Sequence, residues 1–305
     1  MSMTSHKEQT MEKKTLTLQN KETYAYLEFN PGAEKTVVLL HGNMSSSVHF
    51  EPLIERLSDD YRIVAPDFRG FGDSSYHQPI ESLEDLADDL MDFLHQLSID
   101  KAHIIGWSTG GGIGLKFAAK YQQATDKVVL IESASYRGYP IYRKDANFQP
   151  TDELYASKEA MAQDPVQVVP ALQAIEQDNR PLMKQIWEAA IYNEGKPEEA
   201  AFDRYIRETM KQRNLVDIDW SLMTFNMSHT PNGVAPGDGS IEDVTAPVLS
   251  IYGKKDRVIT ETMFKETVEA LKDAETEIYE DGSHSPITDF PDRLSRRILR
   301  FLNPS

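Results

Sequence analysis

The stretch His103-Ile104-Ile105-Gly106-Trp107-Ser108-Thr109-Gly110-Gly111-Gly112 decides how this chain folds. It begins as an apolar run of β character, turns at a serine and leaves through small residues into a helical pattern. The turn reads G-x-S-x-G from Gly106 to Gly110, in the strand–turn–helix context that gives this motif its meaning as a nucleophile elbow. For its hydroxyl to stand clear of the backbone, Ser108 must adopt sparsely populated dihedrals. The incoming strand and outgoing helix then pass so closely that a side chain at Gly106 or Gly110 is expected to strike the opposite limb. The helix start directs free N–H groups at the serine, where negative charge develops during acyl transfer.

On the N-terminal side, residues 1–13 read as a loose tail. The alternation in Thr15-Leu16-Thr17-Leu18 and Thr23-Tyr24-Ala25-Tyr26-Leu27 predicts an antiparallel hairpin at a sheet edge. Thr36-Val37-Val38-Leu39-Leu40 is continuously apolar, as for a strand buried on both faces of a parallel sheet. It runs into His41-Gly42-Asn43-Met44, where a backbone N–H at Asn43 is placed to join that of Thr109 in an oxyanion hole. His41 reads as a structural histidine of its own loop. Tyr61 to Ala65 is a further strand, and Asp67 to Ser74 reads as a rigid surface loop held by Asp and Arg bonds. Leu83, Leu86, Leu90, Phe93, Leu94 and Leu97 recur at helical spacing behind the Ser82/Asp85 capping pair.

Beyond the elbow, Val128 to Ile131 is another buried strand, and strand–helix alternation to this point predicts an α/β fold with a doubly wound, mostly parallel sheet. The rhythm then stops. Helical patterns span Asp152 to Gln163, Val166 to Gln177, Pro181 to Tyr192 and Pro197 to Arg213, with many aromatic and methionine side chains. This predicts a helical cap at 136–243 inserted into a core formed by 1–135 and 244–305, over the strand ends where open α/β sheets bind ligands. Met44, Trp107, Tyr136, Trp187 and Trp220 are the candidates for substrate contact. The sheet resumes at Val248 to Tyr252, followed by Asp256. A weaker strand at Thr276 to Glu280 precedes Gly282-Ser283-His284-Ser285-Pro286, and Pro291 opens a last helix.

Composition sets outer bounds. A chain of 305 residues with 40% hydrophobic and 27% charged residues suits one large soluble domain, or one carrying an insertion. There is no cysteine, which excludes disulfides, a thiol nucleophile and Cys-ligated metal. The net charge of −17, spread along the chain, disfavours nucleic acid and anionic lipid as partners. No apolar run approaches the ~18 residues of a membrane span, and the polar N-terminus lacks the apolar region of a signal peptide. The expectation is a cytoplasmic protein with a small-molecule acyl substrate and neither metal nor organic cofactor.

Ser108, Asp256 and His284 fall at three strand ends in the chain order of a Ser…Asp…His triad. Serine is a weak nucleophile until an imidazole takes its proton, and a carboxylate fixes that imidazole's tautomer. With His41-Gly42-Asn43, Asp67 to Ser74, Gly106 to Gly111, Gly253 to Asp256 and Gly282 to Pro291, these residues resemble the α/β-hydrolase superfamily over about 15–303. The resemblance implies a serine hydrolase of a small, fairly apolar ester or lactone. Carbon–carbon bond hydrolases and cofactor-free perhydrolases share the same machinery. The Ser108 to Gly112 run resembles the perhydrolases, although Trp107 stands where that group often has histidine. His41-Gly42-Asn43 is similar to haloalkane dehalogenases, but those enzymes, like epoxide hydrolases, use an aspartate nucleophile. A ligand-sensing protein with little turnover is a further reading that the same fold allows.

Overall fold

The structure, a computed structural model, describes residues 12–57 and 59–303. Its centre is an eight-stranded sheet in the order β1-β2-β4-β3-β5-β6-β9-β10. The strands are β1 (Lys14–Thr17), β2 (Thr23–Phe29), β3 (Thr36–Leu40), β4 (Arg62–Pro66), β5 (Ala102–Trp107), β6 (Thr125–Ile131), β9 (Val248–Gly253) and β10 (Ala274–Tyr279). β1 and β2 form the expected edge hairpin, β2 also runs antiparallel to β4, and every other pairing is parallel.

The apolar runs divide by the two-residue period of a strand. Val38, Leu40, Ile104, Val128 and Leu130 join the core on one face, and Val37, Leu39, Ile105, Val129 and Ile131 join the core on the other. The first core lies under α2 (Leu83–Gln96) and α3 (Thr109–Lys120), which contribute Leu86, Leu90, Phe93 and Phe117. The second lies under α1 (Glu51–Leu57) and α11 (Pro291–Leu302), with Leu53, Ile54, Leu294 and Ile298. Each such side chain contributes about 1.5–3 kcal/mol on full burial. A one-residue register slip would exchange the faces, so the pattern fixes the register. α9 (Glu261–Ala270) covers β9 through Phe264, which stacks on Tyr252.

After β3 the chain moves outward to β4, then returns through α2 to β5 on the other side of β3. The carboxyl ends of β3 and β5 therefore flank a topological switch point, where open α/β sheets form a crevice.

The segment between β6 and β9 departs from expectation in two places. Residues predicted helical from Asp152 instead begin in a two-stranded hairpin, β7 (Tyr142–Lys144) with β8 (Pro150–Leu154). The Asp145 carboxylate accepts from the N–H groups of Asn147 and Gln149, at 2.8 and 2.9 Å, and this local turn returns the chain. Helix begins only after Ser157, whose hydroxyl caps α4 (Lys158–Met161). α5 (Val169–Glu176) and α7 (Glu199–Thr209) lie within the predicted spans, and α6 (Arg180–Ala190) begins one residue before its predicted start. α8 (Leu215–Thr224) was not predicted: its low amphipathicity, with apolar Val216 and Trp220 off the face of Leu215, Ile218 and Leu222 and with Asp219 and Ser221 buried, follows from packing against three different clusters.

Two loops also differ. The Asp67–Ser74 loop is buried rather than superficial, with Asp67, Phe68, Arg69 and Phe71 all inside. Most of the predicted tail lies outside the described residues. Lys13, at its end, is tied down between Asp67, Asp73 and Glu208.

Candidate active site

Ser108 sits between β5 and α3 at φ 55°, ψ −121°, a conformation sparsely populated by any residue with a side chain. The close approach that sustains it differs from expectation at one of the two glycines. A Cβ on Gly106 would strike the backbone of Gly110 and Gly111, as predicted, but one on Gly110 would strike the Leu40 and His41 carbonyls of the neighbouring β3 turn. The elbow is thus wedged against β3 as well as against its own helix.

The structure brings Ser108, His284 and Asp256 together. His284 Nε2 lies 2.9 Å from Ser108 Oγ, and Nδ1 lies 2.7 Å from Asp256 Oδ2. An ionised carboxylate only accepts, so the imidazole proton belongs on Nδ1 and Nε2 is left to accept from the serine hydroxyl. The other Asp256 oxygen accepts from the N–H groups of Val258 and Ile259, at 2.6 and 3.0 Å. Burial pushes this carboxyl up, but the His284 charge and the converging hydrogen bonds outweigh it and hold it below its ordinary value.

Glu132, just past β6, was missed by sequence reasoning. It is buried, at φ 44°, and its Oε1 accepts from the Gly253 N–H at 2.5 Å. Burial and the neighbouring Asp256 charge push its carboxyl well above the ordinary range. Both influences favour the protonated form of Glu132, whose donor atoms lie within 4.8 Å of those of Asp256. Its sequence signal was a carboxylate directly after a buried strand, the same signal that singled out Asp256 after β9.

At the end of β3, the Asn43 N–H makes no hydrogen bond to another described residue, and Asn43 and Thr109 both face the cavity beside Ser108. The Asn43 side chain is fixed on both sides. Its Oδ1 accepts from the Met44 N–H at 2.9 Å and from Gln212 Nε2 at 2.8 Å, and its Nδ2 donates to Asp219 Oδ1 at 2.8 Å. His41 is held in its loop: Nδ1 donates to the Gly42 carbonyl at 2.8 Å and Nε2 accepts from the Phe68 N–H at 3.1 Å. Burial pushes His41 down to about 4, which keeps the ring neutral.

A cavity of about 460 Å³ opens over Ser108. Met44, Trp107 and Trp187 belong to its wall, whereas Tyr136 and Trp220 do not. Tyr136 packs against the core beneath α2 and α3, and Trp220 packs with Tyr155 and Met161. In their place the wall has Tyr139, and from α8 the residues Leu215, Asp219 and Leu222. These three stand at helical spacing i, i+4 and i+7, one face of the helix; Trp220 lies off that face. Asp219 is a cavity residue that the sequence did not single out, because the helix that places it there was not predicted.

Two groups of acidic side chains approach closely enough to be weighed as cation sites. In the first, donor atoms of Glu132, Asp256 and His284 lie within 4.8 Å of one another, but both His284 nitrogens are engaged by Asp256 and Ser108, and the other Asp256 oxygen accepts from two backbone N–H groups. In the second, Asp67, Asp73 and Glu208 surround the Lys13 ammonium at 2.7, 2.8 and 2.6 Å. The second set already holds a cation, and in the first only Glu132 Oε2 is without a partner among the described residues, fewer open donors than the roughly four that a bound metal typically takes.

Comparison with known proteins agrees with this architecture. The chain is 26% identical over 272 residues to the protein named "Putative carbamate hydrolase RutD" of Agrobacterium fabrum, covering 88% of this chain and 94% of that one. Among solved structures, the esterase EaEST from Exiguobacterium antarcticum superposes with a TM-score of 0.73 at 18% identity, over 95% of this chain and 99% of the other. The enol-lactonase from Burkholderia xenovorans LB400 gives 0.72 at 18% identity, again over 95% and 99%. Residues 35–291 match the family described as alpha/beta hydrolase fold, and the chain belongs to that family.

Proposed function

We infer that this protein is a serine hydrolase that cleaves a small, fairly apolar carboxylic ester or lactone through an acyl-enzyme on Ser108. The observation that carries the reading is the hydrogen-bonded line from Ser108 Oγ through His284 to Asp256. His284 Nε2 takes the serine proton as Oγ forms a bond to the acyl carbon. The Asn43 and Thr109 N–H groups receive the charge on the carbonyl oxygen, and one such donor typically contributes about 3 kcal/mol in the transition state. The tetrahedral intermediate collapses as the bond to the alkoxy group breaks, and that group leaves with the proton from His284. Water then repeats the sequence: it loses a proton to His284, attacks the acyl carbon and releases the acid and free Ser108.

The segment 136–243 acts in this reading as a cap over the site, and the apolar wall around Trp187, Ile186, Ile191 and Leu222 favours short acyl or aryl groups. The relative named for carbamate hydrolysis extends the acyl class to carbamates, which the same relay would serve. Turnover of p-nitrophenyl acetate, butyrate and octanoate by wild type and Ser108→Ala tests the assignment. The expected result is turnover that falls at least about a thousandfold in the variant. Equal slow turnover by both proteins on every ester would move the reading to a ligand-sensing protein.

A further inference from the structure

Asp219 is the one carboxylate in the cavity wall, among the described residues, that stands apart from the Ser108–His284–Asp256 line. It is 8% exposed, on an α8 face whose other cavity residues, Leu215 and Leu222, are apolar. Buried carboxylates are expensive unless they are paired. Asp219 has no cationic partner: its Oδ1 accepts from Asn43 Nδ2, and its Oδ2 has no partner among the described residues. Nor is Oδ2 sealed within the protein, since it is not among the buried polar atoms without a partner. It faces the cavity. Among the other polar side chains of the wall, Gln167 Oε1 accepts from Lys144 and Arg257 Nη1 donates to the Ala189 carbonyl, while Trp187 Nε1, a donor, has no partner among the described residues.

We propose that Asp219 is a substrate-recognition residue, and that the substrate carries a hydroxyl or N–H donor, a few bonds from the scissile carbonyl, which binds Asp219 Oδ2. The position of the donor follows from Asn43. The backbone N–H of Asn43 meets the carbonyl oxygen and its side chain holds Asp219, so one asparagine spans the distance between the two contacts. Burial raises the carboxyl to about 7, and a donor from the substrate would supply the partner it lacks in the protein. A site built around such a bond discriminates against analogues that lack it, because the buried oxygen is then left unpaired.

The inference rests on the hydrolase reading, so its test must fail separately from that reading. Two matched pairs serve: p-nitrophenyl butyrate against its 3-hydroxybutyrate, and ethyl butyrate against 2-hydroxyethyl butyrate. The first pair places the donor on the acyl side and the second on the alcohol side. In wild type, kcat/KM is expected to favour the hydroxylated member of at least one pair. Asp219→Ala should reduce that ratio at least about tenfold, chiefly through KM. Asp219→Asn, which can still accept from Asn43, should retain part of the preference and guards against a folding defect. Labelling of Ser108 by a fluorophosphonate probe is followed in all three proteins. If Ser108 labels and neither ratio responds to Asp219→Ala or Asp219→Asn, the recognition role is overturned. If wild-type Ser108 does not label, the hydrolase reading itself fails, and the inference with it.

Discussion

The indole N–H of Trp107 donates to the backbone carbonyl of His284 at 2.8 Å, so the residue before Ser108 directly holds the loop that carries His284. The side chain is 2% exposed, packs near Phe50 and Trp187, and has no other group to satisfy its Nε1. The end of β5 and the loop after β10, far apart in sequence, are thereby tied together beside Ser108.

Trp107→Phe keeps an aromatic ring in this space and removes the donor. The His284 carbonyl then loses its partner, at a cost of about 1–3 kcal/mol if it stays buried, and the imidazole loses one constraint on its position. The expected result is a folded protein with a reduced melting temperature and kcat lowered about tenfold or more, with KM less affected. Thermal melts and ester kinetics check both. Unchanged kcat would show that His284 is positioned without this bond, by Asp256 and by the Ser283–Asp289 contacts of its loop.

Glu132 lies beside Asp256, and its substitution tests whether the two carboxyls share a proton or merely pack together. Glutamine retains an acceptor for the Gly253 N–H and an N–H donor for Asp256; alanine retains neither. Glu132→Ala is expected to lose about 1–3 kcal/mol of stability and to lower kcat, while Glu132→Gln restores both in large part. Denaturant melts paired with turnover measure this. Glutamine that behaves like alanine would remove Glu132 from the relay.

Asp219 gives a pH signature of stability. Its carboxyl is raised to about 7, first by burial and then by the Asp164 charge, against an ordinary value of about 4. Between those two values the folded protein retains a proton that the unfolded chain has lost. The contribution of Asp219 to stability is therefore fully present below pH 4 and is lost as pH rises through 7. Asp219→Asn does not titrate. Relative to wild type, its unfolding free energy should rise with pH across this window by about 1.4 kcal/mol per unit. Urea melts at several pH values provide the comparison, and a difference that stays flat from pH 4 to 8 would contradict the assigned burial.

The parts of this fold legible in the sequence were those with a strong local period. The parallel strands read as unbroken apolar runs because both faces are covered, and the elbow read as glycines around a serine because backbone contact leaves no room for more. Ser108, Asp256 and His284 could be located because each follows a strand end. The cavity wall could not be read in the same way. Its composition depends on how α8 is rotated, and a helix buried on several sides has no single apolar stripe to reveal that. Trp220 and Asp219 are adjacent in sequence, yet only the acid reaches the cavity. The hairpin at β7 and β8 was obscured by helix-compatible residues around Asp152, while the turn that decides it was set several residues earlier by Asp145. Tertiary context decided the cavity wall, and a local turn decided the hairpin.

The most direct test of the central claim is covalent. Purified protein is treated with a fluorophosphonate, the intact mass is recorded, and the adduct is mapped by peptide sequencing. One adduct per chain on Ser108, absent from Ser108→Ala and slowed by orders of magnitude in His284→Ala, is the predicted result. A folded wild-type protein that remains unlabelled, or that labels at another residue, would contradict the assignment of Ser108 as nucleophile.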